Sequence, residues 1–156
     1  MATEDKTPST FGTAAYGGEN WSQRHATHRQ ELGDIWGGCG IDSEWRQLEA
    51  VLLHCPGEEL NAAQDDPEAV QMLAPVDVPR AQDEHNAMVE AYRAQGVEVH
   101  FVEPELPCQP NLMFCADLFV MTPQGAILAR PASTVRAAEE RWVARKLADL
   151  GIPILK

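Results

Sequence analysis

Apolar residues recur with two different periods along this chain, and the switches between them mark its elements. Glu49-Ala-Val-Leu-Leu-His54 is a short apolar run stopped by Pro56-Gly57, the pattern of a buried strand followed by a turn. Residues 58–75 are polar and acidic, with Asp65-Asp66-Pro67 placed to form a turn or open a helix. Asp77 suits an N-cap with Pro79 in the first turn, and Ala81, His85, Met88, Val89 and Tyr92 then share one helical stripe. Gly96 follows at the position where helices end in left-handed backbone. Val97, Val99 and Phe101 alternate with Glu98 and His100, the two-residue period of a strand.

A second unit begins after a connection rich in proline at Pro104, Pro107 and Pro110. Asp117–Thr122 is a strand candidate, and Thr122-Pro123-Gln124-Gly125 has Pro second and Gly fourth, as a type I turn prefers. Ala126–Arg130 returns as the hairpin partner. From Ser133 or Thr134 as cap, one helix is predicted to run to Leu150, with Val143, Leu147 and Leu150 inward and Trp142 flanking them. Gly151 closes it, and Ile152–Lys156 has the composition of one more strand. Both units read strand, glycine-closed helix, apolar strand, so an α/β fold with parallel strands on either side of each helix is expected. An apolar strand at the end of the sequence needs neighbours, and the natural sheet is expected to continue past residue 156.

Residues 1–46 lack sustained periodicity and are rich in Gly, Ser, Thr and Asn, in contrast to residues 47–156. They are expected to form an irregular N-terminal arm, with Phe11, Tyr16, Trp21, Trp36 and Trp45 available to tack it onto a neighbouring surface.

Charge narrows the choice of ligand. The 24 acidic and 12 basic side chains give a formal net charge of -12, a field that repels nucleic acid and anionic lipid and suits a cationic small molecule. The polar, acidic start lacks the apolar core of an export signal, and no run approaches a membrane span, so a cytoplasmic setting is expected. The four cysteines form no C-x-x-C pair and show no zinc spacing, and His25-x-x-His28 has no partner at ligand distance in sequence. Phosphate-binding loops, G-x-S-x-G and H-E-x-x-H are absent; neither a cofactor nor a metal is expected. His54-Cys55 has the right residue types for a base and a nucleophile. Adjacent strand residues point to opposite faces, however, and that favours a structural role for both.

The most distinctive stretch is Pro110-Asn111-Leu112-Met113-Phe114-Cys115-Ala116-Asp117. A carboxylate at the head of an apolar strand, just after an aromatic, can line a pocket mouth; a solvated or turn-capping Asp is the plain alternative. Arg136, in the first turn of the last expected helix, opposes the helix dipole and is better tolerated beside an anion.

Pro110-Asn111-x-x-Phe114-x-x-Asp117, followed by the hairpin, Arg130-Pro131, Arg136 and Glu139, resembles the arginine deiminase, dimethylarginine dimethylaminohydrolase and amidinotransferase superfamily, the penteins. The resemblance covers roughly residues 48–156 and is strongest from residue 110 onward. It implies a five-bladed α/β propeller, of which this chain supplies about two strand–helix repeats after its arm. It also implies chemistry at a guanidino group: a late Cys attacks the guanidinium carbon, a His serves as acid and base, and carboxylates grip the cation. By the same resemblance the substrate-binding residues are Asp117, which matches a guanidinium-holding carboxylate, Phe114, which matches a pocket-lining aromatic, Arg136, which matches an arginine contacting the substrate carboxylate, and Asn111 of the shared motif.

Two positions depart from that pattern. Ala116 stands where many relatives carry a charged residue, and none of the five histidines or four cysteines falls where the family places its His and nucleophilic Cys. The chain alone is therefore expected to be inactive, completed by a C-terminal half or by further copies of itself. The rival expectation is a non-catalytic guanidine-binding or protein-interaction module of the same fold.

Overall fold

The computed structural model describes residues 21–105 and 107–156. In chain order the elements are helix α1 (His28–Glu31), strand β1 (Ala50–Leu53), helix α2 (Ala62–Asp65), helix α3 (Val78–Ala94), strand β2 (Glu98–Phe101), strands β3 (Phe119–Thr122) and β4 (Gly125–Leu128), and helix α4 (Glu140–Asp149). Short 3-10 turns at Glu58–Asn61, Glu68–Val70, Cys115–Asp117 and Thr134–Arg136 join them.

The first unit closely follows its sequence pattern. Asp77 caps α3 by accepting from the Arg80 N–H, and Pro lies in the first turn. At the other end Gly96 takes φ 76°, while the Val97 and Gly96 N–H groups donate to the Tyr92 and Arg93 carbonyls. That paired closure satisfies two carbonyls the helix would otherwise orphan, and it turns the chain back into β2. β2 then runs parallel to β1, with Val51 opposite Val99 and Leu53 opposite Phe101. His85 and Val89 are the buried members of the α3 stripe; Met88, expected inward, is 40% exposed. With so short a β1–β2 pair, α3 has too narrow a platform to cover its whole stripe.

The second unit differs in two places. Asp117 does not open a strand: Cys115–Asp117 is a 3-10 turn, and β3 starts two residues later at Phe119. The expected long helix is also broken. Ser133 caps a 3-10 turn at Thr134–Arg136, Ala138 adopts φ 73°, and α4 begins only at Glu140. A left-handed alanine costs roughly 1–2 kcal/mol relative to helical backbone, so surrounding contacts must enforce it. The hairpin forms as expected, Thr122 pairing with Gly125 and Phe119 with Leu128. After α4, Gly151 at φ 71° makes the same closure as Gly96, its own N–H and that of Ile152 donating to the Ala148 and Leu147 carbonyls. The final residues lie parallel to β4 through an Ala126–Ile154 bridge, with Ala126 N–H donating to Pro153 O and Leu155 N–H to Ala126 O. The two longer helices, α3 and α4, are thus each flanked by parallel strand material.

The main core gathers Leu112, Leu118, Ala126, Val143 and Leu147 with Trp142, and Leu52 of β1 packs against it. Leu112 and Leu118 are fully buried, so truncating either to Ala should cost about 2–5 kcal/mol.

Residues 21–49 carry little regular structure besides α1. Of the expected anchors, Trp45 is 88% exposed, while Trp36 lies against the His28 ring. Glycine backbone and one histidine make contacts with the rest of the domain. Gly37 N–H donates to Gly151 O at 2.8 Å, His28 Nε2 bonds Gln124 O at 2.8 Å, and Gly40 lies against the Thr122-Pro123 turn. A Cβ on Gly37 would sit 2.4 Å from Leu150 O, so only glycine permits the approach. Phe11 and Tyr16 lie outside the described residues. No helix among those described is long and apolar enough to cross a membrane.

Candidate functional site

The 3-10 turn at Cys115–Asp117 and that at Thr134–Arg136 bring Phe114, Asp117 and Arg136 together. The Phe114 N–H donates to Asn111 O and the Asp117 N–H to Phe114 O, two successive tight turns that fix both side chains relative to the core. Below them Cys115 is buried, its thiol donating to Leu112 O at 3.2 Å.

Arg136 is the hub. Its Nη1 donates to Asp117 Oδ2 at 2.6 Å, its Nε to Glu139 Oε2 at 2.8 Å, and its Nη2 to Phe114 O at 3.3 Å. The guanidinium carbon lies 5.9 Å from the centre of the Phe114 ring, within reach of the ring quadrupole. The two acidic partners differ sharply in environment. Asp117 is 59% exposed at its side chain, whereas Glu139 is fully buried, with Oε1 lacking a hydrogen-bond partner. Burial pushes the Glu139 carboxyl above the usual carboxylate range, opposed by the Arg136 charge beside it. Burial acts against the Arg136 charge, but bonds from Asp117 and Glu139 outweigh it and raise the guanidinium further.

Three of the four residues expected to bind substrate therefore meet: Asp117, Phe114 and Arg136. Asn111 has another occupation. It is 4% exposed, its amide nitrogen donates to Val70 O at 2.9 Å, and its carbonyl holds the Phe114 turn. A buried amide bonded in this way is already occupied within the protein, and it is the Asn111 backbone carbonyl that holds the turn. Asp117 is not among the residues that line two concavities of the described residues. The first of these is lined by residues that include Phe101, Trp142 and Arg145; the second, of about 500 Å³, by His54, Glu58, Glu59, Pro104, Pro107 and Cys108. Glu139 belongs to the pattern Arg136-x-x-Glu139, but its burial beneath the arginine was not legible, because the Ala138 backbone that turns it inward has no sequence signature.

None of the four cysteines is poised as a nucleophile. Burial pushes the Cys108 and Cys115 thiols up to about 11, and the Cys39 and Cys55 thiols are raised by the same cause. His54 and Cys55 lie just past β1 and have separate partners: His54 Nδ1 bonds Val102 O at 2.8 Å, and the Cys55 thiol faces Pro56 O. What sequence reasoning missed is that His54 meets Glu59 and Cys108, the latter 54 positions away in the chain.

Known proteins share both sequence and fold with this chain. Residues 61–153 match the family model described as N,N dimethylarginine dimethylhydrolase, eukaryotic. Arginine deiminases of Rhodococcus opacus (strain B4) and Rhodococcus jostii (strain RHA1) are each 46% identical over 63 residues, covering 38% of this chain and 15% of theirs. Among solved structures, a cysteine-to-serine mutant of the dimethylarginine dimethylaminohydrolase from Pseudomonas aeruginosa, complexed with citrulline, superimposes with TM-score 0.54 at 20% identity. It covers 66% of this chain and 39% of that one. A dimethylarginine dimethylaminohydrolase adduct with 4-chloro-2-hydroxymethylpyridine gives TM-score 0.55 at 18% identity, covering 70% of this chain and 41% of that one. A histidine-to-glycine variant as its S-methyl-L-thiocitrulline adduct gives 0.56 at 18%, with 70% and 42% covered. The α/β fold and the matched segments place the protein among the guanidino-modifying penteins. Within that class the family model spans more than half of the sequence, and the chain belongs to the dimethylarginine dimethylaminohydrolase family that it describes. The chain spans 39 to 42% of the length of these solved relatives.

Proposed function

We propose that this chain forms the cation-holding side of an amidine hydrolase active site, whose substrate is the guanidino group of arginine or a methylated arginine. One observation carries the proposal: Asp117 already grips a planar guanidinium, that of Arg136, with the Phe114 ring beside it. A carboxylate that accepts from one guanidinium at 2.6 Å presents the charge and geometry to accept from another. Because Asp117 is 59% exposed, its bond to Arg136 is worth only about 0–1 kcal/mol and can be exchanged at little cost. Arg136 stays charged and held by Glu139, free to turn toward the carboxylate end of the same substrate. Phe114 covers one face of the guanidinium, and Asn111 sets the turn that presents it.

The remaining chemistry belongs to parts of the fold that the longer relatives possess and these 156 residues do not form. There, in a five-bladed propeller of which residues 47–156 form about two repeats, a cysteine thiolate attacks the guanidinium carbon. The C–N bond breaks as a histidine protonates the departing amine, and water then releases the ureido product from sulfur. Hydrolysis is preferred to amidino transfer because the matched family is named a hydrolase and both Rhodococcus relatives are named arginine deiminases. Residues 21–46 belong to the arm of this domain, and a cytoplasmic setting accords with four unpaired cysteines.

The raised thiols support inactivity of these residues on their own. Incubating the purified chain with arginine, agmatine and dimethylarginine should give no citrulline-type product. Robust turnover that survives substitution of any one cysteine would overturn the division of labour, and turnover lost in a single cysteine variant would relocate the nucleophile to this chain.

A further inference from the structure

We infer that His54, Glu59 and Cys108 form a binding site for one zinc-like divalent cation, distinct from the guanidinium site. The three residues come from separate segments: the end of β1, the 3-10 turn Glu58–Asn61, and the proline-rich connection after β2. Their ligand atoms all lie within 4.8 Å of one another. His54 Nε2 is 3.4 Å from Glu59 Oε1 and 3.9 Å from Cys108 Sγ. Zinc bond lengths with tetrahedral angles place such atoms roughly 3.3–3.7 Å apart, so small side-chain adjustments would complete three corners of the polyhedron.

The imidazole is prepared for this. Its Nδ1 lies 2.8 Å from the Val102 carbonyl, which only accepts, so Nδ1 carries a hydrogen and Nε2 is the ring nitrogen that faces Glu59 and Cys108. Nε2 and Glu59 Oε1, 3.4 Å apart, leave a place for a cation between them. His54 is 7% exposed and the Glu59 side chain 11%, while Gly57 N–H donates to Glu59 Oε1 at 2.6 Å and fixes its rotamer. The cluster is not sealed: it forms part of the wall of the concavity of about 500 Å³, which offers an entry path and room for water at the fourth position. On binding, the Cys108 S–H bond breaks, the sulfur pair goes to the metal, and the proton leaves to solvent. Thiolate and carboxylate then balance the dication, with histidine neutral.

The test is a cobalt(II) titration of the full chain, followed by displacement with zinc. The expected result is one equivalent bound, with an intense near-ultraviolet thiolate-to-cobalt band that zinc abolishes. Cys108→Ser should remove the band and Cys55→Ser should retain it, while Glu59→Gln should weaken affinity by at least about 10-fold. Circular dichroism monitors folding, and if Cys108→Ser unfolds, Glu59→Gln carries the comparison. No thiolate band in the wild type, a band that survives Cys108→Ser, or affinity unchanged by Glu59→Gln would overturn the assignment.

Discussion

Replacing Arg136 with methionine should expose how unequal its two acidic partners are. Methionine retains much of the arginine stem's packing but leaves Glu139, fully buried, without a cation. Stranding one member of a buried pair typically costs about 3–5 kcal/mol. Here protonation sets a ceiling. A carboxyl with an ordinary pKa of 4.5 is held neutral at pH 7 at a cost of about 3.4 kcal/mol, and at pH 5 of only about 0.7 kcal/mol. The sign follows from burial: a carboxyl raised in the folded state contributes its stability below the ordinary value and loses it as pH rises through the raised one. Arg136→Met should therefore destabilise by roughly 3 kcal/mol at pH 7 and by much less at pH 5. Asp117→Asn, at a largely exposed pair, should cost under about 1 kcal/mol at either pH. Replacing Glu139 with leucine in the Arg136→Met background should recover most of the loss. Urea unfolding followed by tryptophan fluorescence measures all four proteins. A pH-independent Arg136→Met penalty, or an Asp117→Asn penalty of equal size, would refute the proposed hierarchy and with it the idea that Asp117 is readily exchanged.

Three further perturbations probe the frame. His85 is buried on α3 with its ring 6.0 Å from that of Phe101, and burial lowers its pKa. The stability it permits is present above the ordinary value of 6.5 and is lost as pH falls through the lowered one. His85→Leu should flatten that acid-side loss, whose limiting slope is about 1.4 kcal/mol per pH unit; an unchanged slope in urea midpoints would contradict it. Ala138→Gly removes a left-handed Cβ at φ 73° and should stabilise by up to about 1 kcal/mol, whereas destabilisation would show that the alanine methyl packs usefully. Gly37→Ala drives a methyl against Leu150 O and should speed hydrogen exchange across residues 28–40 far more than it lowers the global unfolding midpoint.

The parts of the fold legible in the sequence are those set by local rules. Asp77, Gly96 and Gly151 announce helix ends through capping chemistry that needs no tertiary partner, and the Thr122–Gly125 turn specifies its own hairpin. The helix break at Ala138 was not legible, because alanine is the strongest helix former and nothing local marks the left-handed backbone it adopts beside the Arg136–Glu139 pair. The close approaches of Gly37 and Gly40 and the His28 bond to Gln124 O were not legible either, because composition carries no signal for such long-range contacts. At the site, the family resemblance brought Phe114, Asp117 and Arg136 forward, and the fold sets the three side by side. The resemblance could not show that Asn111 spends its amide on Val70, or that His54 meets Glu59 and Cys108, since both depend on long-range packing.

The most direct measurement is a nuclear magnetic resonance titration of the nitrogen-labelled chain with methylated arginine, following the Arg136 side-chain Nε–H and the backbone amides of Phe114–Leu118. If Asp117 exchanges its own arginine for a ligand guanidinium, these signals shift together and saturably in the wild type and not in Asp117→Asn. Shifts that are absent there, or that persist undiminished without the carboxylate, would contradict the assignment of this face to a guanidino substrate.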